Sequence, residues 1–258
     1  MRFKNKIAVI TGGGSGLGQM TALKMAQEGL AGIAIIDRDQ IGLKKSIELL
    51  SEISTIDILS FNIDVSDAIE MKKISLEIQN KFNAIDILVN AAGILGPSVK
   101  IIDCDEDDWD QVFAINVRGT YLSAKYFVPL IRLKGSGSVI NFSSTAGLVG
   151  SDYLSPYSAS KGAIITLTKS MALNHATEGI RVNCVCPGSI ETPMLRSTFA
   201  NAGDNIQQNE RELIYKMKHP MHRFGIPDEV ASVVLFLASD DASYVTGIAM
   251  PIDGGRLA

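Results

Sequence analysis

The sequence is short of several things, and each shortage removes a class of function. Only three cysteines occur in 258 residues, too few and too odd a number for a disulfide framework. Cys184 and Cys186 alternate along a strand pattern and are expected to point to opposite faces, with Cys104 far from both in sequence. No C-x-x-C and no Cys/His metal spacing occurs, so no metal is expected and the setting is read as reducing and cytoplasmic. No apolar run approaches the ~20 residues that span a bilayer. The start MRFKNKIAVIT runs straight into a strand pattern, without the cleavage site of a signal peptide. Basic residues are outnumbered, 24 Lys+Arg against 28 Asp+Glu, which leaves no cationic excess for a nucleic acid or an anionic membrane. What is plentiful is apolar side chain, 46% of the residues, enough for a large core.

Apolar runs alternate with helix-period segments. The runs at 6–11, 32–37, 56–61, 85–90, 138–143, 181–186 and 248–253 read as strands, several of them apolar almost throughout, as in a sheet covered on both faces. Helical patterns lie near 17–29, 40–52, 67–81, 107–133, 156–177 and 227–238. Strand-then-helix order repeated along the chain predicts an α/β fold, a doubly wound Rossmann-type parallel sheet forming one domain over residues 1–258. Residues 191–222 are too long and mixed for an ordinary connection and are expected to form a mobile substrate lid.

The stretch TGGGSGLG, Thr11 to Gly18, follows the first strand. In a doubly wound sheet this turn holds a phosphate or pyrophosphate against the free N–H groups of the next helix. Gly12, Gly16 and Gly18 give a G-x-x-x-G-x-G spacing. It is neither a P-loop nor the common G-x-G-x-x-G fingerprint. The second strand ends at Asp37, whose carboxylate suits both hydroxyls of an adenosine ribose and repels a 2′-phosphate, so NAD is favoured over NADP. Arg38 follows and is placed to hold a phosphate instead, while Ser15 supplies no cation for one.

A second dense region is SSTAGLVGSDYLSPYSASK, residues 143–161. Tyr157 and Lys161 are four apart at a helix start and share a face. Depressing a phenol pKa by ~3 units from ~10 takes ~4 kcal/mol, about what an ammonium ~4 Å away supplies at an effective dielectric of ~20. The pair therefore suits a proton moving to or from an alcohol oxygen. Ser144 ends the preceding strand, where its hydroxyl can orient that oxygen.

With these motifs in hand, the sequence closely resembles the short-chain dehydrogenase/reductase family over nearly its whole length. TGGGSGLG, with Ser15, Gly16 and Leu17 at its centre, resembles the family's cofactor loop, and YSASK resembles its Y-x-x-x-K motif. The resemblance implies that Ser144 is the catalytic serine, Ser143 being the alternative, and that Asn116 in FAINVRG holds a water beside the lysine to complete a proton relay. It implies cofactor contacts at Asn90, Ala91 and Gly93 of NAAG. It implies others from Asp64 and Val65 beside the adenine, and from Pro187, Gly188, Ile190 and Thr192 of PGSIET near the nicotinamide carboxamide. The implied activity is NAD(H)-dependent interconversion of a secondary alcohol and a ketone, and the implied assembly is a homotetramer built on helices 107–133 and 156–177 and the C-terminal end.

The segments 94–99 and 145–154 contain no Arg or Lys, which points to a neutral alcohol or ketone. Arg196, Arg211, Lys216, Lys218 and Arg223 in the lid keep a 3-oxoacyl thioester as the alternative. The four-residue Tyr-to-Lys gap speaks against an enoyl reductase, and an intact Ser-Tyr-Lys set speaks against a catalytically silent NAD-binding protein. His175, His219 and His222 show no metal spacing and are not assigned a chemical role. Tyr153 and Met194 are candidates for the pocket wall.

Overall fold

The computed structural model describes residues 1–53, 55–200 and 205–258. Seven strands run along it: β1 (Ile7–Thr11), β2 (Gly32–Asp37), β3 (Asp57–Asn62), β4 (Ile87–Asn90), β5 (Gly137–Phe142), β6 (Ile180–Pro187) and β7 (Ala249–Ile252). All pair in parallel, in the order β3-β2-β1-β4-β5-β6-β7. Parallel neighbours need long crossovers, and helices supply them. The expected fold class is thus the observed one. Strand limits move by one or two residues from the sequence reading, the largest change being the loss of Ile85 and Asp86 from β4.

The sheet buries both faces because alternate strand residues point to opposite sides. Ile33 and Ile35 of β2 join one core cluster and Ala34 and Ile36 the other. The first cluster packs against α1 (Gly16–Gln27), α2 (Gln40–Ile53) and α10 (Pro227–Ala238). The second lies under α3 (Ala68–Phe82), α5 (Gly119–Arg132) and α7 (Ser155–His175). Among the described residues the remaining α-helices are α4 (Glu106–Phe113), α6 (Thr145–Leu148), α8 (Pro193–Ala200) and α9 (Asn205–Met217). Local chemistry sets several starts. Asp67 accepts hydrogen bonds from the Ile69 and Glu70 amides to begin α3. Pro156 and Pro227 occupy the first turns of α7 and α10, where a missing N–H costs nothing.

Two expectations need correction. The single helix expected over 107–133 is α4 and α5 joined by a π-helical turn, Ala114–Arg118; a widened turn of this kind leaves the apolar period nearly intact and so escapes a sequence reading. Cys184 and Cys186 share one face of β6 and pack beside Ile165 of α7, because residues two apart on a strand point the same way. Residues 191–222, expected to form a lid, carry α8 and α9 in their described part, and 201–204 lie outside the described residues. The described part is clasped by ion pairs from Arg196 to Glu191 and Glu212 and from Lys216 to Glu212. Phe199, 4% exposed, stacks on Phe224 and meets Tyr215 edge-on. Among the described residues no helix is long and apolar enough to cross a membrane.

Candidate active site

Strand order reverses between β1 and β4, and a crevice opens there at the carboxyl ends of the strands. A cleft of about 310 Å³ occupies it. One wall is the turn from β1 into α1, where Gly12, Ser15, Gly16, Leu17 and Gly18 line the cleft. Gly16 has φ +54°, a left-handed conformation that favours glycine. Gly18 answers to packing instead, since a Cβ there would meet the Gly12 carbonyl oxygen at 2.2 Å. Ser15 is the N-cap of α1 but makes no side-chain cap bond, and the first turn carries no carboxylate. Open N–H groups at the positive end of a helix, facing a cleft, are what an anionic group such as a pyrophosphate takes up.

The far end of the cleft is formed by Asp37, Arg38, Asp64 and Val65. Asp37 Oδ2 accepts from the Gly14 amide at 2.9 Å and Oδ1 from the Asp39 amide at 2.9 Å, so the carboxylate is held rigidly at the tip of β2. Asp64 is turned by its own bonds to the Ser66 amide and hydroxyl, 2.8 and 2.7 Å. Ala91 and Gly93 line the floor. Asn90 does not: it is 2% exposed and donates to Asn141 Oδ1 at 2.8 Å, holding β4 to β5 behind the floor. Its side chain thus braces the sheet directly behind Ala91, which lines the cleft.

A second cavity, of about 180 Å³, continues from this cleft past Gly93. Ser144, Tyr157 and Lys161 line it together, with Pro187, Gly188, Ile190 and Thr192 opposite. The sequence reading grouped these residues from three separate stretches, and the fold brings them to one cavity. β5 delivers Ser144 just beyond its end, and Ser144 then caps the short α6 by accepting from the Ala146 amide at 3.1 Å. α7 presents Tyr157 and Lys161 from consecutive turns, with Lys161 Nζ 5.6 Å from the Tyr157 ring centre. α6 packs so tightly on α7 that a Cβ on Gly147 would meet the Lys161 carbonyl carbon at 2.6 Å.

The sequence reading put an ammonium ~4 Å from the phenol; in the structure Lys161 Nζ lies 5.6 Å from the centre of the Tyr157 ring. Lys161 Nζ donates to the Phe142 carbonyl at 2.8 Å, and Ser143 donates to the Lys161 carbonyl at 2.8 Å. Ser143, the alternative catalytic serine, is thereby committed to holding the α7 backbone. Burial pushes the Lys161 pKa down to about 8, against a smaller upward pull from Cys186 and Cys184. Burial also raises the Tyr157 pKa, and the neighbouring Ser144 hydroxyl opposes this by favouring the phenolate. Burial thus favours the neutral form of both groups.

Asn116 sits in the π-helical turn, 1% exposed. Its Oδ1 accepts from the Ile94 amide at 2.8 Å, and its Nδ2 donates to the Ile94 carbonyl and to Ser160 Oγ, both at 3.0 Å. Asn116 and Lys161 flank Gly93: a Cβ on that glycine would meet Asn116 Oδ1 at 3.1 Å and Lys161 Nζ at 3.3 Å. The widened turn thus aims Asn116 at the lysine from the far side of the floor.

Met194 lines both cavities, as expected of a pocket wall. Tyr153 does not; it stands 53% exposed with φ +61°, and Ser151 and Leu154 take its place. His219 is a structural group. Its Nδ1 lies 2.9 Å from the Tyr215 carbonyl, its Nε2 accepts from the Ser189 amide at 3.2 Å, and burial lowers its pKa. The sequence reading missed Arg256 altogether, since no spacing links a residue after β7 to a pocket built from β5, β6 and α7.

A family model described as enoyl-(acyl carrier protein) reductase matches residues 12–256. The chain is 37% identical to the 2-(S)-hydroxypropyl-CoM dehydrogenase 3 of Xanthobacter autotrophicus, over 100% of this chain and 98% of that protein. It is 36% identical to the levodione reductase of Leifsonia aquatica, over 100% and 96%. The crystal structure of a levodione reductase superimposes with a TM-score of 0.95 at 35% identity, covering 99% of this chain and 98% of that one. That of an NAD+-bound xylitol dehydrogenase does so with 0.94 at 32% identity, covering 99% and 100%. Matching fold, matching length and the convergence of Ser144, Tyr157 and Lys161 beside a nucleotide-shaped cleft lead to one conclusion: this chain belongs to the short-chain dehydrogenase/reductase family of oxidoreductases.

Proposed function

We propose that this protein is an NAD-dependent oxidoreductase that interconverts a secondary alcohol and a ketone. The observation that carries the reading is the continuity of the two cavities: a cleft ending at Asp37 leads past Gly93 to a wall bearing Ser144, Tyr157 and Lys161. The residues present fit the cofactor, with open amides at the start of α1 for a pyrophosphate and a fixed carboxylate at the tip of β2 for ribose hydroxyls. NAD bound in the cleft supplies or accepts the hydride at the carbinol carbon.

The chain's own groups do the rest. Tyr157 exchanges the proton of the substrate oxygen, and Ser144 holds that oxygen by a hydrogen bond. Lys161 lends its charge to the phenolate and hands protons toward the space beside Gly93 and Asn116. Pro187, Gly188, Ile190 and Thr192 close the wall opposite and keep water from the reacting carbon. The 3-oxoacyl thioester reading drew on the lid cations, and three of these are matched by carboxylates: Arg196 and Lys216 by Glu212, and Arg223 by Glu229. A cytoplasmic homotetramer with each subunit a single domain belongs to the same reading. Leu173 of α7 and Tyr121 of α5, 82% and 47% exposed, are apolar surface that such an assembly covers. Light scattering that finds a monomer at micromolar concentration contradicts it.

The cofactor assignment is tested at Asp37. A carboxylate ~5 Å from a 2′-phosphate opposes it by ~3 kcal/mol per charge at an effective dielectric of ~20, or about 100-fold. Asp37→Ala is expected to raise the NADP-to-NAD ratio of kcat/KM by about that factor. A ratio unchanged from the parent protein ends the assignment.

A further inference from the structure

The charged residues lining the catalytic cavity are Lys161, Lys218 and Arg256; no carboxylate joins them among the described residues. Lys161 is engaged at the floor with the Phe142 carbonyl. Lys218 and Arg256 stand at the mouth, and neither makes an ion pair among the described residues, unlike Arg196, Lys216 and Arg223 close by. Asp253, the carboxylate nearest Arg256 in sequence, spends its two oxygens on the Gly255 and Leu257 amides, each at 3.0 Å.

The two cations are held on a braced frame. Lys218 follows α9 and lies 4.8 Å from the ring centre of Tyr215, which also lines the cavity. The next residue, His219, pins this segment to the loop after β6 through Ser189. Arg256 projects from the turn after β7, which is tied back through the Met221 amide to the Gly254 carbonyl at 3.2 Å. Two unmatched cations facing a half-enclosed space raise its potential and draw in an anion, and the planar guanidinium suits two oxygens of one group.

We propose that Lys218 and Arg256 form an oxyanion-binding subsite at the mouth of the catalytic cavity, so that the substrate is a secondary alcohol or ketone carrying a carboxylate, sulfonate or phosphate away from the reacting carbon. The proposal rests on the secondary-alcohol reading above and replaces the neutral substrate that residues 94–99 and 145–154 alone suggested.

The test compares each of two hydroxy acids, beta-hydroxybutyrate and gamma-hydroxyvalerate, with its own amide, and adds a hydroxyalkyl sulfonate and a hydroxyalkyl phosphate to rank the anions. The full-length protein is used, with cofactor in excess and at constant ionic strength. At least one anion is expected to exceed its neutral counterpart in kcat/KM by about tenfold or more, mainly through KM. Lys218→Met and Arg256→Met are each expected to cut that preference by about tenfold, and Lys218→Arg to keep it. Amides turned over as well as or better than the anions overturn the subsite and leave the secondary-alcohol reading standing. A preference that survives both methionine variants also overturns it. Turnover of no compound in the panel overturns both readings.

Discussion

Tyr157→Phe is expected to lower kcat by about 10²–10⁴-fold, the usual worth of a positioned general acid or base, while the cofactor still binds. The substitution removes one oxygen from a ring that keeps its place on α7, so folding is little affected. What disappears is the hydroxyl proposed to exchange the substrate proton. Retention of more than a few per cent of kcat in a steady-state assay removes Tyr157 from that role.

The same residue sets the direction of the pH dependence. Oxidation of an alcohol needs the phenolate, so its rate is expected to rise with pH through an ionisation below ~10. Ketone reduction needs the protonated phenol and is expected to fall over the same range. Burial raises the Tyr157 pKa, and Lys161 Nζ donates to the Phe142 carbonyl. An ammonium ~4 Å from the phenol contributes ~4 kcal/mol toward the phenolate at an effective dielectric of ~20, so the functional ionisation is expected to appear with cofactor and substrate bound. A spectroscopic titration of the free protein is expected to show no tyrosinate from Tyr157 below ~10. Observation of one there puts the activating charge in place before any ligand binds and rejects this sequence of events.

Gly18→Ala is the second large effect, and it acts on fold and cofactor together. Its Cβ would fall 2.2 Å from the Gly12 carbonyl oxygen, a backbone atom with no rotamer to yield. Relief requires α1 to move away from β1. The expected cost is about 3 kcal/mol of stability, at the upper end for overpacking. Because the same shift carries the open amides of the first turn away from the cleft, cofactor affinity is expected to fall about tenfold or more. Gly16→Ala is the contrast. There the nearest atom to a new Cβ is Thr192 Cγ2 at 3.7 Å, and the cost is the left-handed φ of +54° alone, about 1–2 kcal/mol. Thermal unfolding and cofactor-fluorescence titration of both variants check the order. Equal stability losses contradict the packing argument.

These contrasts follow the boundary between local and distant information. The glycine turn, Asp37, and the Tyr157–Lys161 pair were legible because each depends on spacing within one strand-turn-helix step. Ser144 was legible as the end of a strand. Asn116 was legible by resemblance, but the π-helical turn that aims it at Gly93 was hidden inside an unbroken apolar period. Asn90 lies in a recognisable segment, yet its side chain serves Asn141 on the adjacent strand. The two cysteines of β6 were misread through strand geometry itself, since a separation of two returns a side chain to the same face.

By itself the sequence determined the parallel α/β architecture, the position of the glycine turn after β1 and the grouping of Ser144, Tyr157 and Lys161 that line one cavity. Hydrophobic period, glycine placement and helical spacing are short-range quantities written directly in residue order. Only the tertiary structure decided where charge is left unmatched. Lys218 and Arg256 reach one cavity mouth because His219 and Gly254 brace segments that are remote in sequence. Of the other cations, Lys216 meets Glu212 within one turn of α9, a pairing that helical spacing carries, while Arg196 reaches Glu212 only because α8 packs on α9. Contacts between segments remote in sequence depend on distances in space, which residue order does not list.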